Sequence, residues 1–245
     1  MKEALLPRVF STLGSPPGAS VSLVRNGAWL VVHFAESHRM ASWAIVGGGL
    51  RHARTVAWLH VSEADLRPPV DATKFLRSRL EAADMPDAVG LLTSRELDSY
   101  IDVNRSYRGS RARCIATVGL GNALRAGDPP GPSGRIGTIN VLCHFSVPLS
   151  QEATLEALAL AAEARSLAVR EAAVPSQVSG EPASGTGTDC IVIAAPDAGE
   201  PARHVGKHTV AGHLIGAVVH EAVSRGVERW KGDRAAGPFQ EGRPR

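Results

Sequence analysis

Residues 20 to 61 alternate short apolar runs, Val21–Val24, Trp29–Phe34, Trp43–Val46 and Thr55–Val61, with polar or glycine breaks, and this pattern constrains the fold most. Runs of about four to eight residues bounded by turn formers read as strands. Asn26-Gly27 separates the first two runs, and both residue types tolerate the positive φ of a two-residue hairpin. The chain therefore starts as an antiparallel sheet whose faces later segments must cover.

Those segments follow in order. Asp71 to Ala83 carries Phe75, Leu76, Leu80 and Ala83 at helical spacing, with Asp71 as the N-cap. Ala88–Leu92, Cys114–Val118 and Ile136–Phe145 read as strands, the last after a Pro/Gly-rich loop from Asp128 to Gly134. Ser150 precedes a run of strong helix formers reaching Ala172. A glycine- and proline-bearing loop from Val174 to Gly187 then leads into a strand at Cys190–Ala195. A final helix from Thr209 to Trp230 has Leu214, Ile215, Val218, Val219, Ala222, Val223 and Val227 at helical spacing. An antiparallel group followed by strand-helix units predicts an α/β or α+β fold: a single-domain sandwich with a mixed, partly antiparallel sheet packed by helices. Residues 1–19 read as an N-terminal extension, 20–230 as the domain, and 231–245 as a tail of glycine, proline and charge expected to be disordered.

Composition narrows the partners. Lys+Arg number 27 against 24 Asp+Glu, aromatics are 4%, and no clustered basic run occurs, which argues against a nucleic-acid surface. Apolar stretches such as Trp29–Ala35 and Cys190–Pro196 fall far short of the ~20 residues of a membrane span. The three cysteines, Cys114, Cys143 and Cys190, each sit in an apolar run without metal-ligand spacing, which suits a reducing compartment. The start has no apolar core of signal-peptide length, so a cytoplasmic protein without a protein-bound metal is expected.

Several segments have residues suited to chemistry. Thr117 to Asp128 follows an apolar strand and contains Gly119, Gly121, Asn122 and Asp128, which permit close backbone approach and offer polar groups. Asn140, in Gly137-Thr138-Ile139-Asn140, is an amide in an apolar strand that must either cross-link strands or face a site. Gly185-Thr186-Gly187-Thr188-Asp189 precedes a strand rather than a helix and lacks the Gly-Lys-Ser/Thr ending, so it is no phosphate loop. Gly206-Lys207-His208-Thr209 opens the last helix, where the macrodipole opposes cations and favours a neutral His208 able to exchange a proton. His33, His38, His52 and His60 lack metal-ligand spacing; Glu163 and Arg165 could form a polar site, yet an Ala-Glu-Ala-Arg stretch is common on exposed helix faces.

Taken together, these segments resemble the adenosylcobinamide amidohydrolase (CbiZ) family. The family's Thr-Ala-Gly-x-x-Asn-Ala and Arg-Ala-Gly-Asp stretches match Thr117–Ala123 and Arg125–Asp128, and its Gly-Thr-Ile-Asn strand matches Gly137–Asn140. Its Thr-Glu-Ala-Lys, Gly-Thr-Gly-Thr-Asp and Gly-Lys-His-Thr-x-x-Gly-Glu-Leu-Ile-Gly segments match Ala162–Arg165, Gly185–Asp189 and Gly206–Gly216. Val118, Ala162, Arg165 and His213 replace the usual Ala, Thr, Lys and Glu. The resemblance implies hydrolysis of the amide joining the aminopropanol arm to the corrin ring of adenosylcobinamide. Its products would be adenosylcobyric acid and aminopropanol, with cobalt carried by the substrate and no other cofactor. On that basis Asp189 or His208 is expected to activate water, Lys207 and Asn122 to hold the oxyanion, and His208 to protonate the amine. Thr188 or Thr209 as a covalent nucleophile is the competing version. Gly119, Gly121, Asp128, Asn140, Gly185, Gly187, Thr188 and Thr209 are the expected substrate-binding set, and a non-catalytic corrinoid-binding protein is the alternative function.

Overall fold

The computed structural model describes residues 21–130 and 137–236. The predicted extension at 1–19, Ile136 at the predicted start of a strand, and residues 237–245 of the tail lie outside them.

Strands β1 (Val21–Asn26) and β2 (Trp29–Ser42) form the predicted hairpin. Asn26 pairs with Trp29, so the two loop residues are Gly27 and Ala28, and Gly27 at φ +54 supplies the positive dihedral. β2 does not end at Phe34. It continues through polar residues to Ser42, with a register irregularity between His33 and His38. β3 (Gly49–His60) returns antiparallel to it, so Trp43–Val46 is a connection rather than the expected strand. Alternation misled there because Ala44 and Val46 are buried while Trp43 and Ile45 are exposed, as in a strand, yet only Val46 bridges a neighbour, Gly90.

Helix α1 (Ala72–Ala82) starts as predicted at Asp71, whose carboxylate accepts the Thr73 and Lys74 N–H groups at 2.9 and 3.0 Å. β4 (Val89–Thr93) follows, then β5 (Ile101–Tyr107) and β6 (Ser110–Val118), joined by Arg108 and Gly109 at φ 47 and 79. β5 escaped the sequence reading because it is an edge strand with only Ile101 and Val103 buried. The remaining elements are β7 (Ala123–Leu124), β8 (Ile139–Phe145), α2 (Gln151–Glu171), β9 (Gly185–Thr186), β10 (Cys190–Pro196) and α3 (Val210–Ala235). Ser150 and Thr209 cap α2 and α3 through their hydroxyls. Helix α3 runs past Trp230, so Lys231 to Ala235 are helical rather than part of a disordered tail, and Lys231 Nζ donates to the Ala172 carbonyl at the end of α2.

The main sheet has eight strands in the order β4-β3-β2-β10-β8-β6-β5, with β1 added on β2. The β3–β4 and β8–β10 pairs are parallel and the others antiparallel, which is the mixed sheet predicted. The first part of β2 pairs with β1 and its last part with β10, and the irregularity lies between them. Apolar side chains sort into three cores. Trp29, Val31, Ala57 and Leu59 pack with Leu76 and Leu80 of α1. Val141, Cys143, Ile191 and Ile193 pack with α2 and α3. Between them, Leu30, Val32, Trp58 and Leu91 meet Ile115, Leu142 and Val192 from the far half of the same sheet. The sheet is therefore creased along β2, and its two halves face each other between two helical layers. The three cysteines are buried and free.

Candidate active site

Residues distant in sequence meet because β7 pairs with β9, placing Ala123 opposite Thr186 and Leu124 opposite Gly185. The ribbon is tied further by Ser184 N–H to the Leu124 carbonyl at 2.9 Å and Ala126 N–H to Ser184 Oγ at 2.8 Å. Gly119 N–H donates to the Thr138 carbonyl at 2.9 Å, Thr138 Oγ1 to the Thr188 carbonyl at 2.8 Å, and Thr188 Oγ1 to the Gly137 carbonyl at 2.9 Å. Gly137 is required, since a Cβ there would stand 2.6 Å from Gly121 N. Gly119, Gly121, Asn122, Gly185, Gly187, Thr188 and Asp189 thus converge at the head of β8 and β10. Asn122 Oδ1 is buried there without a hydrogen-bond partner.

Asp189 is the charged centre of this cluster, with its side chain 6% exposed. Its Oδ1 accepts Ile139 N–H at 3.0 Å and the Thr186 hydroxyl; its Oδ2 accepts Thr186 N–H at 2.9 Å and Arg165 Nη1. Burial pushes the carboxyl upward from its ordinary range, while Arg165 and the Thr186 and Ile139 donors pull the other way. Arg165, on α2, also donates from Nη1 to the Ser184 carbonyl at 2.9 Å, and its buried Nε has no partner. Cys190, next to Asp189, has its thiol pushed up to about 12 by burial, so it supplies no thiolate near neutral pH.

A cleft of about 320 Å³ opens over the pair, lined by Trp43, Leu124, Arg165, Gly185, Thr186 and Asp189 among others. The Trp43 indole N–H donates to the Asp189 carbonyl, fixing the β2–β3 connection against the head of β10. Trp43 and Ile45 in that connection are 46% and 45% exposed, and of the two Trp43 lines the cleft. A larger cavity of about 390 Å³ beside the β1–β2 hairpin and α1, lined by Trp29, Leu59 and Phe75, contains none of the motif residues.

The structure does not gather every expected residue here. Lys207 pairs with Glu163 of α2, both well exposed. His208 is exposed and lies by Gly206 and Glu156, nine residues and ~13 Å before Arg165 along α2. At 3.6 residues per turn, Glu163 and Arg165 leave α2 about 160° apart, so the helix carries the Lys207 and Asp189 pairs on opposite flanks. Among the described residues, no hydrogen bond or ion pair links Lys207 or His208 to Asp189 or Asn122, which separates the expected four-residue constellation.

Other expected residues make contacts within the fold. Thr209 donates to the Gly206 carbonyl and accepts Gly212 N–H, and Thr188 donates to Gly137, so neither hydroxyl is held by a base. Asn140 donates to the Leu92 carbonyl at 2.7 Å, cross-linking the two halves of the folded sheet. Asp128 accepts the Ser176 and Ser179 hydroxyls and so ties two loops together. His213 stacks edge-on against Tyr107 with centroids 5.1 Å apart, away from the Asp189 cluster. Three of the cleft residues absent from the predicted site hydrogen-bond Asp189: Arg165, whose stretch is common on exposed faces; Trp43, read as part of a strand; and Thr186, overshadowed by Thr188.

Comparison with known proteins agrees with these motifs. The family model for adenosylcobinamide amidohydrolase, CbiZ, matches residues 16–235. No curated protein sequence matches the chain. Solved structures similar to it include a beta-aminopeptidase of Burkholderia sp., at 15% identity and a TM-score of 0.42 over 85% of this chain and 82% of that one. An L-aminopeptidase D-Ala-esterase/amidase from Ochrobactrum anthropi, described as a variant of the Ntn hydrolase fold, gives 12% identity and a TM-score of 0.43 over 85% and 82%. The PH0078 protein of Pyrococcus horikoshii OT3 gives 10% identity and a TM-score of 0.41 over 85% and 83%. The protein is an amide-hydrolysing enzyme with a mixed α/β fold. It belongs to the adenosylcobinamide amidohydrolase family.

Proposed function

We propose that the chain hydrolyses adenosylcobinamide at the amide joining its aminopropanol arm to the corrin ring, releasing adenosylcobyric acid and aminopropanol in corrinoid salvage. The observation that carries this reading is the ion-paired Asp189 in a cleft that the exposed, apolar Trp43 also lines. A corrinoid is broad and flat, so it suits an open cleft with an apolar shoulder better than an enclosed pocket. The arm enters over Thr186 and Arg165 while the macrocycle stays outside on the shoulder. Cobalt arrives with the substrate, and the chemistry assigned here uses no protein-bound metal. The buried free thiols suit a cytoplasmic enzyme. Helices in the described residues are not long and apolar enough to cross a membrane.

Incubating the purified chain with adenosylcobinamide and resolving the corrinoids chromatographically tests the reading. Adenosylcobyric acid and free aminopropanol in equal amounts are expected. Binding without product would instead favour a corrinoid-binding protein, and turnover of unrelated amides with no competition by corrinoids would remove the substrate assignment.

A further inference from the structure

The amide must be attacked by water or by a side chain, and the cleft offers few nucleophiles. Its thiol neighbour Cys190 is held protonated by burial. Among the described residues lining the cleft, the hydroxyls belong to Ser184 and Thr186. Ser184 Oγ accepts the Ala126 N–H and is hydrogen-bonded to no carboxylate. Thr186 is different, because its hydroxyl donates directly to Asp189 Oδ1. Flanking glycines leave it approachable. Gly187 presents no side chain, and Gly185 lets Arg165 and Asp189 close beneath the loop.

A hydroxyl attacks efficiently only when a base takes its proton as the new bond forms. Asp189 meets that need in place and in kind: it is hydrogen-bonded to the oxygen that would lose the proton, and burial increases its basicity. Its other oxygen stays anchored by Arg165 and Thr186 N–H, so the acceptor is fixed in orientation. Arg165, with an unsatisfied Nε, lines the same cleft and places positive charge where negative charge develops. Thr188 and Thr209 lack this arrangement, since both donate to backbone carbonyls.

We infer that Thr186 is the covalent nucleophile of this enzyme and Asp189 its general base. The inference rests on amide cleavage at this cleft. Thr186 Oγ bonds to the amide carbonyl carbon as its proton passes to Asp189 Oδ1. The C–N bond then breaks, the leaving amine takes that proton, and the acyl group remains as an ester of Thr186. Water adds to the ester carbon and gives a proton to Asp189. The C–O bond to Thr186 breaks, Thr186 Oγ recovers the proton, and the carboxylic acid departs.

The test uses the full chain and two acyl donors, adenosylcobinamide and p-nitrophenyl propionate. Acid-quenched enzyme is digested and the acylated peptide mapped by mass spectrometry. An ester on Thr186 is expected, removed by hydroxylamine. Thr186→Ala is expected to lower kcat by on the order of a thousandfold, while Thr186→Ser retains it within about tenfold. Thermal melting of both variants separates loss of fold from loss of chemistry, and the serine variant keeps the adduct test open if alanine unfolds the loop. An adduct on any other residue, or Thr186→Ala turning over at the wild-type rate, overturns the inference while leaving the corrinoid reading intact. A propionyl ester on Thr186 in a protein that leaves adenosylcobinamide untouched supports the nucleophile and removes the substrate.

Discussion

Glu163 and Arg165 lie two residues apart on α2 and leave it on opposite flanks, Glu163 to pair with Lys207 before α3 and Arg165 to pair with Asp189 at the head of β10. One helix therefore organises two charge clusters, one exposed and one buried. The exposed pair is of the kind that contributes ~0–1 kcal/mol, whereas the buried pair governs the geometry of the cleft.

Separation by α2 predicts that His208 is dispensable for chemistry at the cleft. His208→Ala should change kcat by no more than the roughly twofold expected of an isolated surface substitution. Steady-state kinetics decide this, and a hundredfold loss would move the chemistry to the start of α3.

Removing one member of the buried pair strands the other. Arg165→Met and Asp189→Asn should each destabilise the chain by about 3–5 kcal/mol in denaturant titration, with the double variant costing less than the sum. Arg165→Lys keeps the charge, and matches the residue usual at this position in the resemblance, so it should retain most activity. Additive single-variant losses would show that the pair is not coupled.

Gly185 packs so closely beneath the pair that a Cβ would overlap Arg165 Nη1 and Asp189 Oδ2. Arg165 can yield only by leaving its carboxylate, so Gly185→Ala should lose stability and activity together. A variant with wild-type melting temperature and turnover would mean that the loop has room to shift.

If the macrocycle rests on Trp43, Trp43→Ala should raise KM about tenfold or more with little change in kcat, and Trp43→Phe should recover part of the loss. Quenching of tryptophan emission by added corrinoid should fall in the same order. Equal KM values for all three proteins would remove the stacking role.

A second buried pair sets an acid limit. His38 and His144 approach to 3.2 Å between their Nε2 atoms, and His144 is lowered from 6.5 to about 3 by burial, then by His38, Arg113 and Arg111. Burial lowers His38 as well. Between those two values the unfolded chain binds more protons than the folded one, so stability is full above about 6.5 and declines as pH falls toward about 3. Melting temperatures from pH 7 to pH 4 should drop, and His144→Leu should flatten the slope. An unchanged slope would place acid sensitivity elsewhere.

Much of the architecture was legible in the sequence because the signals were local. Asp71, Ser150 and Thr209 are caps where expected, and the strands around Cys114, Cys143 and Ile193 follow from their apolar runs. The crease in β2 was hidden because its polar middle, Ala35 to Arg39, looks like a break while remaining in the sheet. The motifs at Gly185–Asp189 and Ala162–Arg165 were visible, but their pairing was not. Arg165 becomes significant only when α2 is laid across β10, a long-range relation that helical spacing does not encode. The same limit hid where Lys207 and His208 lie: their residue types suit catalysis, and among the described residues no hydrogen bond or ion pair joins them to Asp189.

The crease also leaves the Ser42–Gly49 connection as a cantilever, fastened where the Trp43 indole meets the Asp189 carbonyl and where Val46 bridges Gly90. Ala44 and Val46 are buried within it and Gly47 and Gly48 leave no room for a Cβ, so Trp43 and Ile45 are the side chains it presents outward. The arm beside the cleft is thus coupled to the strand head that carries Asp189, so altering it would reach the charged centre as well as the rim.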